Sequence, residues 1–330
     1  MKTYLIFALF FSLTLSFLAH AEPLKVGLVL DKGGKDDKSF NSAAFAGANK
    51  AKSELGIQLK YVEATDDAAI ENLTRAFAQK EYDLIIGVGF AQAEAIGKVA
   101  KQYPQKKFAI VDAKVDGNNV RSLLFAEHEG SYLVGAIAAL TSKTQTVGFV
   151  GGMDVPLIRR FQMGYEAGAK KINPKIKVIT NFVGVTPDAW NNPAKAKELA
   201  LAQYSGNADV IYGAAGASNN GLFDAAEEKK KFAIGVDSNQ NWVKPGLILT
   251  SMLKRVDVAV FDAIKSATDG KFKGGVADFG LKNKGIDYAV DEFNDKILTQ
   301  EARNKADELK KQIMSGKLVV PDYYKKNAKK

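Results

Sequence analysis

Three strand-like runs in this chain end on a charged side chain. Phe108-Ala-Ile-Val closes on Asp112, Ile234-Gly-Val on Asp237, and Thr250-Ser-Met-Leu on Lys254. A charge at the end of a buried strand is hard to justify by packing, because burying it alone is costly. In an open α/β sheet, the carboxyl ends of the strands face the crevice where ligands bind. Carboxylates there accept hydrogen bonds from hydroxyl or N–H donors, and a lysine donates back. A related feature is Asp31-Lys-Gly-Gly-Lys-Asp-Asp-Lys-Ser-Phe-Asn41, which follows the apolar run Leu24–Leu30. It delivers an aromatic, Phe40, and an amide that can donate and accept, Asn41, to the same end of the first strand.

Other candidates have competing structural readings. Gln92, in Phe90-Ala91-Gln92, stands where helix-start amides can face a ligand, although a plain βα loop serves equally well. Gly213, in Gly213-Ala-Ala-Gly-Ala217, permits close backbone approach or simply makes a tight turn. Trp190 lies in the loop Pro187-Asp-Ala-Trp-Asn-Asn-Pro193. Ser39 and Asp37 read as helix caps. Gly33-Gly34-Lys35 lacks the spacing of a phosphate-binding P-loop and reads as a flexible turn. Arg159 and Arg160 read as solvated helix arginines. His128, between Glu127 and Glu129, reads as a polar contact at a lobe crossing. The sequence has two histidines and no cysteine, so disulfides are excluded and no metal site or cofactor is expected.

These residues need a scaffold, and the apolar pattern supplies one. Strands are expected at 24–30, 58–62, 83–86, 108–111 and 120–125, with helices at 39–55, 68–79 and 91–102. A second set follows: a helix at 130–141, a strand at 146–150 ending at Gly151-Gly152, and a helix at 156–171. Strands at 177–183, 210–212 and 232–236 alternate with helices at 193–204 and 219–228. Further expected elements are strands at 247–253, 276–281 and 288–290, a helix at 256–268 and a charged helix at 300–314. The strand runs are continuous rather than alternating, as in parallel sheets covered on both faces. Two βα lobes with no Pro-rich linker suggest two doubly wound sheets facing each other, with a first crossing at 125–130 and return crossings after Asp237 and after Leu253.

The 330 residues suit two domains. The start, Met1-Lys2, an apolar run to Leu18 and Ala19-His20-Ala21, has the form of a secretory signal cut after Ala21. The expectation is an exported protein of the periplasm, with no lipid anchor for want of cysteine. The formal net charge of +9 reads as a solubilising surface. No aromatic and basic motif accompanies it, so nucleic acid is not an expected partner.

The motifs GLVLDKGGKDDKSFN, FAEHEGSYLVGAIAAL, VGFVGGMDVPLIRRFQMGYEAGA, VIYGAAGASNNGLFDAA and IGVDSNQN…TSMLKRVD together resemble the basic membrane protein family, whose best understood members are of the purine nucleoside receptor A type. The resemblance covers residues 24–320. It implies two Rossmann-like lobes joined by a multi-strand hinge, as in type I periplasmic binding proteins of the ribose-binding kind. It also implies a substrate-binding component that feeds an ABC permease and closes on a purine nucleoside such as guanosine, inosine or adenosine. By the same resemblance Phe40 stacks on the base, Asp112 bonds the purine edge, and the Asp237–Lys254 pair holds the ribose hydroxyls. The second stacking aromatic has no unambiguous match: Trp190 is favoured, with Tyr212 second. Family members often carry a cysteine at the mature N-terminus, where this chain has Glu22.

The lobes are expected at 22–126 plus about 238–290, and at 127–237 plus about 291–320, with a basic tail at 321–330. A monomer is expected. The competing functional readings are another nucleoside-like or aromatic ligand, a chemosensory partner, and a nucleoside hydrolase. The last would need a carboxylate cluster or metal-bound water, and Asp37, Asp112 and Asp237 show no metal-ligand spacing.

Overall fold

The computed structural model describes residues 22–64 and 66–327. The expected signal at 1–21 and the last three residues of the basic tail lie outside the described residues. The described residues form two six-stranded sheets flanked by helices, one per lobe.

The first sheet uses β1 (Lys25–Leu30), β2 (Gln58–Glu63), β3 (Leu84–Val88), β4 (Lys107–Val111) and β5 (Val120–Phe125). A later strand, β11 (Gly275–Phe279), joins its edge, giving the order β11-β5-β4-β3-β1-β2 with every pairing parallel. Helices α1 (Phe40–Leu55), α2 (Asp67–Gln79) and α3 (Ala93–Gln102) connect the strands. The second sheet holds β6 (Thr146–Met153), β7 (Lys177–Gly184), β8 (Val210–Ala214), β9 (Phe232–Asp237), β10 (Ile248–Lys254) and β12 (Ile286–Tyr288), in the order β12-β10-β9-β8-β6-β7. Only the short β12 runs antiparallel among these pairings. All five residues of β3 and of β8 are buried, which is why their sequences do not alternate. Helices α4 (Glu127–Thr141), α5 (Pro156–Ile172), α6 (Pro193–Ser205) and α7 (Asn219–Lys229) belong to this lobe, and α9 (Gln300–Met314) packs on α4.

The expected lobe boundaries need one correction. The chain does not leave the second sheet near residue 238. A short connection follows β9, and β10 then pairs parallel beside it. The chain crosses back only after Lys254, where α8 (Val256–Thr268) packs on α1. It then forms β11 and returns through Gly280–Gly285 to β12. Residues 248–254 and 286–288 therefore lie in the second sheet. An apolar run tells of burial, not of which of two similar sheets buries it.

Some element ends also differ. β6 continues through Gly151-Gly152 to Met153. A side chain at Gly152 would sit 2.1 Å from the Trp190 ring, so the glycines mark a close approach rather than a strand end. α4 begins at Glu127, not Gly130. The three crossings, near Ala126, Arg255 and Gly280–Gly285, lie side by side: Ala126 N–H donates to Phe279 O at 2.8 Å, and Arg255 N–H to Gly285 O at 2.9 Å.

Candidate functional site

The two sheets present their carboxyl ends to each other across a cleft. Asp31, Asp37, Phe40, Phe90 and Asp112 come from the first lobe, and Phe161, Trp190, Asp237 and Lys254 from the second. Phe40, Asn41, Asp112, Asp237 and Lys254, the residues singled out first in the sequence, all line it, and so does Trp190.

Asp112 and Asp237 end adjacent-lobe strands in the same unusual way. Their φ values, 70° and 64°, are left-handed. Non-glycine residues adopt that conformation at a cost, and such strain persists where the surroundings hold it, often at ligand sites. Each carboxylate is thereby turned off its strand into the cleft. One Asp112 oxygen, Oδ2, accepts from Lys254 Nζ at 2.5 Å. The other, Oδ1, is buried without a hydrogen-bond partner among the described residues. Asp237 Oδ2 accepts from Ser39 Oγ at 2.8 Å across the lobes. Burial pushes the Asp237 carboxyl up to about 7, against the pull of Lys254 and the Ser39 hydrogen bond. Asp31 is likewise raised by burial to about 6.

Lys254 is buried at the end of β10. Burial opposes its charge, but Asp112, Glu127 and Asp237 together hold its ammonium above the ordinary lysine range. Its nitrogen also lies 4.8 Å from the Phe40 ring centroid, 5.1 Å from Phe125 and 5.6 Å from Phe161. The salt-bridge partners differ from the expected pair: Asp112 and Glu127 hold Lys254, while Asp237 turns to Ser39. Two carboxylates around one ammonium are visible only once β4, β10 and α4 meet.

The helix-capping expectation is reassigned between neighbours. Asp37 accepts from the backbone N–H groups of Ser39, Asn41 and Ser42 at 2.8–3.0 Å, satisfying the open first turn of α1. Ser39 makes no side-chain cap bond; its hydroxyl reaches Asp237 and Val236 O instead. Asn41 donates to Asp31 at 2.6 Å and to Asp37 at 3.1 Å, and accepts from Asp31 N–H at 3.0 Å. Its polar atoms hold the loop in shape.

Three expected site residues do not line the cleft. Gln92 is fully buried, and its amide donates to Val29 O and Val88 O at 3.0 and 2.8 Å, tying β1 to β3. Tyr212 is fully buried in the second lobe beside Phe149 and Tyr165, and its hydroxyl lies 3.3 Å from Ser131 Oγ. A strand interior residue points into its own lobe's core, so this aromatic cannot reach the cleft. Gly213 is covered by Asn219, whose amide donates to its carbonyl at 3.0 Å. The small residues that approach the cleft in this stretch are Ala214 and Gly216.

Trp190 meets Phe90 edge to face at 6.4 Å between centroids, closing the cleft mouth from both lobes. Sequence reasoning missed Phe161. Its signal was weak, because a helix aromatic at core spacing looks the same whether it faces a core or a cleft. Glu127 was likewise read only as a neighbour of His128. Among the described residues no group of three or more His, Cys, Asp or Glu side chains has the arrangement to hold a metal ion.

Residues 24–323 match the family described as ABC transporter substrate-binding protein PnrA-like. The chain is 35% identical over 321 residues to an ABC transporter nucleoside-binding protein, BmpA, of Lactococcus lactis, covering 90% of this chain and 89% of that one. It is 32% identical to basic membrane protein A of Borreliella burgdorferi, covering 90% and 87%. An uncharacterized lipoprotein of Pyrococcus abyssi is 39% identical over 81% of this chain and 69% of its own length. Among solved structures, an ABC transporter solute-binding protein of Aeropyrum pernix superposes with a TM-score of 0.84 at 32% identity, covering 91% of this chain and 94% of that one.

Proposed function

Because this chain belongs to the family of PnrA-like ABC transporter substrate-binding proteins, we propose that its cleft captures a purine nucleoside and presents it to a membrane permease. The observation that carries this reading is the convergence of Asp112, Asp237 and Lys254 on an aromatic-walled cavity. A neutral ligand with a flat ring and several hydroxyl or N–H donors matches that set. Phe40 offers a ring face, Asp112 Oδ1 an open acceptor, and Asp237 and Lys254 a complementary acceptor and donor for vicinal hydroxyls. Four carboxylates against one ammonium repel a phosphate, so the nucleoside rather than the nucleotide fits. The nucleoside-binding name of the Lactococcus lactis relative supports the same reading.

Among the described residues no helix is long and apolar enough to cross a membrane. The Pyrococcus abyssi relative is named a lipoprotein, whereas this sequence has no cysteine to carry a thioether lipid. Export to the periplasm as a free monomer is the arrangement we propose.

Calorimetry on protein unfolded and refolded to strip bound ligand tests the assignment. Guanosine, inosine and adenosine are expected to bind, and the matching 5′-monophosphates to bind more weakly. Phe40→Ala is expected to lose about 1–3 kcal/mol of binding, the worth of one stacked base. No nucleoside binding at concentrations up to about 1 mM would sink the purine assignment while leaving the family and fold in place.

A further inference from the structure

The cleft lysine is the second link of a buried chain of alternating charges. Asp112 Oδ2 meets Lys254 Nζ at 2.5 Å, and the same nitrogen lies 3.7 Å from Glu127 Oε1. Glu127 Oε2 meets Arg160 Nη1 at 2.6 Å. Arg160 then makes a two-point contact with Asp322, Nε to Oδ1 at 2.8 Å and Nη2 to Oδ2 at 3.0 Å. Side-chain exposures along the chain run from 1% at Glu127 to 13% at Arg160. Sequence separation is wide: the links join the end of β4, the end of β10, the first turn of α4, α5 and the segment after α9.

That last segment is held at the hinge by more than Asp322. The Tyr324 ring lies 4.9 Å below the Arg160 guanidinium. The short helix α10 (Tyr323–Asn327) packs on α5, and Tyr324 N–H donates to Asp322 Oδ1 at 3.1 Å. Arg160 also donates to Phe125 O, the last residue of β5 before the first crossing. His128 Nε2 stands 3.9 Å from Asp322. A second cavity, lined in part by Asp112, Glu127, Arg160 and Tyr324, runs beside the chain, so the C-terminal residues form part of the wall next to it.

The Lys254 ammonium, buried among three aromatic rings, is held in position by its carboxylate partners. Glu127 is free to do so only while Arg160 occupies its second oxygen. Arg160 in turn is divided between Glu127 and Asp322. We propose that Glu127, Arg160 and Asp322 are positioning residues for Lys254, and that the C-terminal segment thereby sets how tightly the lobes close on ligand. The inference rests on the proposed role of Lys254 at the ligand's hydroxyls.

The test compares Asp322→Asn, which keeps shape and removes charge, with Asp322→Glu, which restores charge. Binding of inosine is expected to weaken by roughly 5- to 150-fold, the range of ordinary site-to-site coupling, in Asp322→Asn and to recover in Asp322→Glu. In a Lys254→Met background, Asp322→Asn is expected to cost nothing further. The absence of native cysteine allows spin labels at Glu94→Cys and Ala194→Cys, one on each lobe, to report closure without any ligand. The Asp322→Asn distances are expected to shift toward the open form. Wild-type affinity together with wild-type distances overturns the proposal. So does an equal loss of affinity with and without Lys254, which marks a merely structural effect. If the wild-type chain binds no nucleoside, the distance distributions alone decide. Should Asp322→Asn fail to fold, Arg160→Lys, which keeps the charge but loses the two-point contact, is read by the same criteria.

Discussion

Asp237 has a titration that is open to direct measurement. Burial raises its carboxyl to about 7, and that of Asp31 to about 6, both above the value near 4 of an unfolded chain. Each binds its proton more tightly when folded. Ionisation therefore removes folded-state stability as pH rises from about 4 to about 7, and the loss is complete above that. The unliganded protein is expected to melt at a higher temperature near pH 5 than near pH 8, as far as these groups decide it. Asp237→Asn is expected to flatten that slope and to stabilise the unliganded protein at pH 8 by about 1–3 kcal/mol, a fraction of the full shift at about 1.4 kcal/mol per unit. Scanning calorimetry across pH reads both, and an undiminished slope in the variant refutes the assignment. The same substitution removes an acceptor from the cleft, so stability is gained where binding is lost. Asp112, Asp237 and Lys254 were legible because strand-terminal charges are anomalous in an apolar run. Gln92, Tyr212 and Gly213 misled because a polar or aromatic residue near a strand end has two directions to point, and φ and ψ choose between them.

At the level of elements, α4 and α5 hold the site's hidden half. They carry Glu127 and Arg160, and they pack closely enough that a side chain at Gly168 would stand 1.9 Å from Tyr132 O. No rotamer relieves a clash with backbone. Gly168→Ala is expected to push the helices apart and cost about 1–3 kcal/mol, as over-packing does, with a lower urea midpoint as the measurement. Weaker nucleoside binding should accompany it, because the Glu127–Arg160 contact spans the same crossing. An unchanged midpoint would show that the pair tolerates separation. The apolar pattern placed nearly every helix and strand to within a few residues. It did not place β10, because the run Ile248–Lys254 is equally suited to either sheet, and its parallel pairing with β9 is decided by what is already there.

At the scale of the whole molecule, the described arrangement is closed. Ser39 Oγ donates to Asp237 Oδ2 at 2.8 Å, and Ser238 Oγ donates to Ser39 O at 2.8 Å. Lys254 and Asp112 bridge the lobes below them, and Lys32 pairs with Asp188 at the cleft mouth. Ser39→Ala removes the single hydroxyl donor shared across the lobes by Asp237 Oδ2 and Val236 O, a contact worth about 1 kcal/mol, which changes a closed-to-open ratio about fivefold. The radius of gyration of the unliganded variant is expected to rise in small-angle scattering, and a curve identical to the wild type would remove Ser39 from the closing contacts.

The amino-acid sequence by itself determined the two-lobed α/β class, the family, and the strand ends that bring charge to the cleft. Those properties follow from local periodicity and from residue types that burial would otherwise forbid. Only the tertiary structure decided that Lys254 belongs to Asp112 and Glu127 rather than to Asp237, that Ser39 spans the lobes, and that Asp322 reaches the hinge. Each of those contacts joins residues far apart in the chain. A buried charge takes whichever counter-charge the packing brings nearest, and no spacing along the chain records that choice.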